Sequence, residues 1–164
     1  MYPLKFQPVF QKRLWGGQKL RAVLGRPVPA DRARETVGES WELADLPPGT
    51  VKADSAGGAA DGSLSSVIAN GPWAGKRLHE ALGQADFKSQ ISDFKAGYFP
   101  LLIKYLDAAQ DLSVQVHPDA AYAASHPGAA LKSEAWYILQ AEPGAKIYKG
   151  VKAGVTREQF ARAL

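Results

Sequence analysis

Leu112-Ser-Val-Gln-Val-His117 alternates apolar and polar residues without a break. In an extended chain, residues two apart share a face. Leu112, Val114 and Val116 therefore fall on one side, and Ser113, Gln115 and His117 on the other. The polar side has two readings. It is a solvated outer face, the commoner fate of such a pattern, or it turns into a barrel or cleft. In the second reading Gln115 and His117 aim a carbonyl oxygen and an imidazole nitrogen at one point. A borderline metal such as zinc accepts that donor pair.

Glu134 adds to the second reading. It opens Glu134-Ala-Trp-Tyr-Ile-Leu-Gln140, the next strand candidate, and an antiparallel neighbour can return it to the same point. An unpaired buried carboxylate is costly, so a core-facing Glu134 needs a partner; at the solvent edge it needs none. Lys132, two residues earlier, shares its face or is an ordinary loop lysine. His79, on a short helix, and His126, before Pro127, are weaker ligand candidates. No Ser-His-Asp arrangement and no glycine-rich phosphate loop is present.

The elements that must position these residues are short. Phe6–Phe10 reads as extended. Gln18–Leu24 reads as a helix that Gly25 closes. Gly38–Leu46 is a strand candidate ending at the turn Pro47-Pro48-Gly49. Residues 54–63, rich in Gly, Ser, Ala and Asp, form a surface loop. Lys76–Leu82 is a second helix. Phe99–Leu106 is an apolar run expected as a buried strand, and Asp119–Ser125 a short helix. Glu134–Gln140 and Lys146–Val151 are expected to form a hairpin around Glu142-Pro-Gly-Ala145. Thr156 caps a helix running to Leu164. The whole is expected to be one domain, 1–164, mainly β with short helices and antiparallel strands.

Composition narrows the classes. Of the 164 residues, 46% are hydrophobic and 22% charged, an ordinary globular mix that argues against disorder. The net charge of +4 comes without dense basic clusters, so neither nucleic acid nor a membrane surface is expected as a partner. Cysteine is absent, which excludes disulfides, thiolate metal sites and a cysteine nucleophile. Met1-Tyr-Pro-Leu-Lys-Phe-Gln-Pro8 does not read as a secretory leader, so none is expected, and the apolar stretches are too short to span a bilayer. A cytoplasmic protein is expected.

Several stretches together carry a family resemblance: Tyr98-Phe-Pro-Leu-Leu-Ile-Lys-Tyr-Leu-Asp-Ala108, Leu112-Ser-Val-Gln-Val-His-Pro-Asp119, Lys132-Ser-Glu-Ala-Trp-Tyr-Ile-Leu139 and Pro143-Gly-Ala145. Trp15-Gly-Gly17, Gly38-Glu-Ser-Trp-Glu42 and Asn70-Gly-Pro-Trp-Ala-Gly-Lys76 add to it. The chain resembles the type I phosphomannose isomerases, zinc-dependent enzymes of the cupin fold, along nearly its whole length. The resemblance implies a partial cupin-type jelly roll. It implies Gln115, His117 and Glu134 as zinc ligands and Lys132 as an active-site lysine. Lys104 and Ser113 would lie near the sugar phosphate, and Trp15 and Glu39 match recurrent segments. Ala129-Ala-Leu131 departs from the family's usual glycine. The implied reaction interconverts mannose 6-phosphate and fructose 6-phosphate through a metal-stabilised enediol. The chain matches the N-terminal half of such enzymes. A further histidine ligand, an active-site arginine and the completing strands are expected beyond it. This stretch alone is therefore expected to turn over little substrate, and either to self-associate through open strand edges or to remain marginally stable. The competing classes are a non-catalytic sugar-binding or regulatory cupin and an iron-dependent cupin oxygenase.

Overall fold

The structure, a computed structural model, describes residues 2–32, 34–52, 55–84, 97–129 and 131–163. Residue 54 of the expected loop, Ala130 and Leu164 lie outside the described residues. The chain divides into two compact units, Met1–Val114 and Gln115–Leu164, which are taken in turn.

The first unit is built on the antiparallel pairing of β1 (Val9–Gly17), β2 (Val37–Leu43) and β5 (Ile103–Leu106), in the order β1-β2-β5. A second sheet pairs β3 (Asp45–Leu46) with β4 (Leu64–Ser65), also antiparallel. The expected strand at Gly38–Leu46 is thus split between two sheets. The central strand β2 is buried from Val37 to Trp41. Phe10, Leu20, Val28 and Val37 form one apolar cluster, with Leu24 and Tyr105 against it. Trp41, Ala44 and Leu64 form another, with Val9, Leu46, Val51 and Leu102. The expected buried strand at Phe99–Leu106 is corrected: β5 covers only its last four residues, and Ile103 is 50% exposed. Among the described residues β5 is paired in this sheet only to β2, so one of its edges carries no ladder there.

The helices are shorter than the periodicity predicts. The first, α1 (Lys19–Ala22), runs into Gly25 at φ +60°, the left-handed position that glycine adopts without strain. The second, α2 (Leu78–Leu82), begins two residues late. The carbonyl of Lys76 accepts from the Ile68 N–H at 2.9 Å, and Arg77 is extended. Leu78, Ala81 and Leu82 are buried.

The β1–β2 ladder contains one irregularity that shapes the unit. Gln11 pairs with Glu39 and Lys12 with Val37, so Gly38 has no opposite residue and forms a bulge. The backbones nearly touch there. A Cβ on Gly16 would stand 2.4 Å from the Gly38 nitrogen, and one on Gly38 would stand 2.6 Å from the Arg13 Cβ. Asp107, just past β5, ties the same place together. Its N–H donates to the Gly38 carbonyl at 2.8 Å, its carbonyl accepts from Gly17 N–H at 3.2 Å, and its carboxylate accepts from Lys19 N–H at 2.5 Å.

The second unit has two capped helices, α3 (Ala120–Ser125) and α4 (Arg157–Ala163). The Asp119 carboxylate accepts from Tyr122 N–H at 2.8 Å. Thr156 and Gln159 cap reciprocally: Thr156 N–H donates to the Gln159 side chain at 2.8 Å, and Gln159 N–H to the Thr156 hydroxyl at 3.2 Å. The turn at Pro143-Gly144 forms, with Gly144 at φ +83° and Ala145 N–H on the Glu142 carbonyl at 3.0 Å.

The strands expected at Leu112–His117, Glu134–Gln140 and Lys146–Val151 do not form among the described residues; these segments carry no ladder. Apolar alternation becomes a strand when one face is buried, because burial selects the register. Val116 is 76% and Tyr137 87% exposed, and Val114, Trp136, Ile138, Ile147 and Tyr148 are exposed as well. The apolar face of 112–117 is therefore not an inner face. No helix among the described residues is long and apolar enough to cross a membrane.

Because the atoms that a Gly16 side chain would meet are backbone, they cannot swing aside. Gly16→Ala is expected to cost about 1–3 kcal/mol by overpacking. Urea unfolding checks this, and an unchanged midpoint contradicts the packing assigned to Gly16 and Gly38.

Candidate functional site

In the second unit, His117, Lys132 and Glu134 come together although no strand carries them. His117 Nε2 lies 3.1 Å from Glu134 Oε2, and Lys132 Nζ lies 3.4 Å from the same oxygen. The His117 and Glu134 side chains are 37% and 22% exposed. The imidazole and carboxylate are close enough to share an ion. Two donors each about 2.1 Å from zinc are roughly 3.0 Å apart at a right angle and about 3.4 Å at the tetrahedral angle. The 3.1 Å separation falls in that range. Gln115 is exposed and makes no hydrogen bond among the described residues. No group of three His, Asp or Glu side chains able to hold a metal ion is found among them either. The pair therefore fits two of the expected donors, with Gln115 as a neighbour in sequence.

The first unit contains a different polar cluster, centred on Glu39. Glu39 is 5% exposed, and its carboxylate is fully engaged. Oε2 accepts from Arg13 Nη2 at 2.7 Å and from the Trp41 indole N–H at 2.8 Å, and Oε1 accepts from Lys104 Nζ at 3.0 Å. The strand register explains the convergence: Glu39 and Trp41 are two apart on β2, and Lys104 on β5 lies opposite Trp41. Burial by itself raises the carboxyl pKa. Hydrogen bonds from Trp41 and Lys104, and the charges of Lys104 and Arg13, outweigh that and hold it below its ordinary value. Of the two residues expected near a sugar phosphate, Lys104 is the ion-pair partner of this carboxylate. Ser113 is exposed, without a hydrogen bond among the described residues.

The remaining histidines are not part of either cluster. His79 Nδ1 lies 3.4 Å from Asp45, and its ring stacks on Tyr98 at 4.4 Å. His126 stacks on Tyr122 at 3.8 Å. Sequence reasoning left Glu39 without a role and did not single out Asp107 at all. For Glu39 a signal was available: one acid with a tryptophan two residues on cannot face a core unless cations meet it. Asp107 carried none, because its work is done on backbone N–H groups brought in from β1 and α1.

The chain thus combines antiparallel β-sheets with an imidazole–carboxylate–lysine cluster. Residues 3–145 match the family described as phosphomannose isomerase type I, catalytic domain. The chain belongs to the type I phosphomannose isomerase family. It is 38% identical over 151 residues to a mannose-6-phosphate isomerase of Streptococcus mutans, covering 92% of this chain and 41% of that protein. It is 39% identical over 161 residues to a probable mannose-6-phosphate isomerase of Bacillus subtilis, covering 97% and 44%. The crystal structure of the mannose 6-phosphate isomerase from Bacillus subtilis aligns with a TM-score of 0.59 and 31% identity, covering 80% of this chain and 35% of that one. The chain thus spans less than half the length of these relatives.

Glu39→Gln is expected to cost about 2–3 kcal/mol at neutral pH, because it strips two cations, one largely buried, of their shared counter-charge. The sign of the pH effect follows from the lowered folded-state pKa. The carboxylate's contribution is full above the ordinary value of 4.5 and is lost as pH falls through the lower folded value. Urea midpoints of the two proteins should therefore converge in acid. A deficit of equal size at neutral and acid pH contradicts this role.

Proposed function

We propose that the protein interconverts mannose 6-phosphate and fructose 6-phosphate, using a zinc ion held by Gln115, His117 and Glu134. The observation that carries the site is the 3.1 Å separation of His117 Nε2 and Glu134 Oε2. Family membership and relatives bearing the isomerase name support the reaction.

The two sugars differ by the position of a carbonyl between C1 and C2. Interconversion removes a proton α to the carbonyl and delivers one to the neighbouring carbon through an enediol. A metal held by these residues would supply Lewis-acid stabilisation of negative charge on the sugar oxygens. Glu134 and His117 offer one oxygen and one nitrogen donor from separate segments, which fixes their spacing through the chain rather than through a single helix. Lys132, held on Glu134 at 3.4 Å, sets an ammonium beside that carboxylate. There it either stabilises developing negative charge or transfers the proton. Lys104 and Ser113 are proposed to bind the sugar phosphate on the strength of the family resemblance. The partial jelly roll and a cytoplasmic location belong to the same reading. So does self-association through open strand edges.

In the protein carrying this sequence, His117→Ala and Glu134→Gln should each lower zinc affinity by at least about tenfold, since each removes a metal bond. Isomerisation of mannose 6-phosphate should fall with the bound zinc. Lys132→Ala should keep zinc and lose turnover. Unchanged zinc content in both ligand variants contradicts the metal site. Sugar-phosphate binding without turnover in the native protein contradicts the isomerase assignment.

A further inference from the structure

Asn70 is the only asparagine in the chain, and glycine follows it. That pair is chemically the least durable place for an asparagine. Glycine puts no side chain beside its backbone nitrogen, so the nitrogen can reach the asparagine Cγ. In this structure every polar atom of the Asn70 side chain is held by the N-terminal segment. Lys5 N–H donates to Asn70 Oδ1 at 2.7 Å, and Asn70 Nδ2 donates to the Pro3 carbonyl at 2.9 Å. Tyr2 covers the following residue: a Cβ on Gly71 would stand 2.3 Å from the Tyr2 ring. The Tyr2 hydroxyl donates to the Asn70 carbonyl at 3.4 Å and accepts from Trp73 N–H at 3.4 Å. The segment continues as an antiparallel contact, with Phe6 opposite Ile68 and Ala69 N–H on the Lys5 carbonyl at 2.7 Å.

We propose that Asn70-Gly71 is a latent deamidation site and that residues 2–5 are its chemical guard. The reaction is intramolecular. The Gly71 nitrogen attacks Asn70 Cγ, the new C–N bond closes a five-membered succinimide, and the Cγ–Nδ2 bond breaks. Nδ2 leaves as ammonia, carrying the proton lost by the Gly71 amide. Water then adds to either succinimide carbonyl and opens the ring to aspartate or isoaspartate. No oxidant or further reactant is needed. Closing that ring requires Cγ to swing toward Gly71. Both side-chain hydrogen bonds must then break, and the extended Asn70 backbone at φ −143° and ψ 162° must rotate.

The modification is self-locking. Both products lose the Nδ2 donor to the Pro3 carbonyl, and aspartate puts a carboxylate oxygen in its place, acceptor against acceptor. Isoaspartate also lengthens the backbone by one methylene directly before Gly71. Once the N-terminal segment lifts long enough for Asn70 to react, it cannot be re-clasped in the same way. The Asn70-Gly71-Pro72-Trp73 turn is thus a fixed anchor while it remains an amide, and a one-way release after conversion.

The test is peptide-mapping mass spectrometry of the whole chain during incubation at mildly alkaline pH, with isoaspartate quantified enzymatically. A synthetic peptide of residues 66–76 serves as the unguarded reference. The native chain should convert Asn70 more slowly than the peptide by roughly a hundredfold or more, the factor set by how rarely the segment opens. Lys5→Pro, which deletes the N–H donor to Oδ1, should accelerate conversion about three- to tenfold, the worth of one hydrogen bond. Tyr2→Ala, which removes only terminal contacts, should accelerate it while leaving the global unfolding midpoint nearly unchanged; that separates guarding from general unfolding. Conversion in the native chain as fast as in the peptide overturns the proposal. So does a Tyr2→Ala chain that converts no faster than the native one.

Discussion

A carboxylate removed from water must be met by positive charge or by hydrogen-bond donors, and Glu39 is the residue on which this constraint falls hardest. It lies on the central strand, buried, and three donors reach it: Arg13 from β1, Lys104 from β5 and Trp41 from β2 itself. The cluster crosses all three strands of the main sheet. A register slip by one residue in either ladder would move the cations to the opposite face and leave the acid alone. The carboxylate therefore selects the pairing as firmly as the apolar clusters do, and it is directional where they are not.

The glycines of the same region express a second constraint, on volume. Gly16 lies where its Cβ would meet the backbone of Val37 and Gly38, Gly38 lies under the Arg13 and Trp15 side chains, and Gly17 lies against the Asp107 carboxylate, 2.6 Å from where its Cβ would stand. Trp15-Gly-Gly17 and Gly38-Glu39 are thus two halves of one contact. That accounts for motifs that read in the sequence as recurrent segments without a role.

Local chemistry was legible and pairing was not. The capped helices at Asp119 and Thr156, the glycine after α1 and the turns at Pro47-Pro48-Gly49 and Pro143-Gly144 all stand where short-range rules put them. The strand expected at 112–117 has the right alternation, and those at 134–140 and 146–151 have extension-favouring side chains or a turn between them, but none carries a ladder among the described residues, because such signals state a preference and only a partner satisfies it. The candidate site followed a similar division. His117, Lys132 and Glu134 meet although the strands expected to carry them do not form among the described residues, while Gln115 makes no hydrogen bond among those residues. Lys104 was placed by family likeness beside a substrate, and in the structure its ammonium is held by Glu39 at 3.0 Å.

The central claim is that His117 and Glu134 are spaced to share one ion rather than merely to bond each other. X-ray absorption at the zinc edge, recorded on the zinc-loaded protein carrying this sequence, tests it most directly. The account predicts a shell of nitrogen and oxygen at about 2.0–2.2 Å with an imidazole scattering pattern that disappears in His117→Ala. An imidazole contribution that survives in that variant, or zinc without any imidazole neighbour, would contradict it.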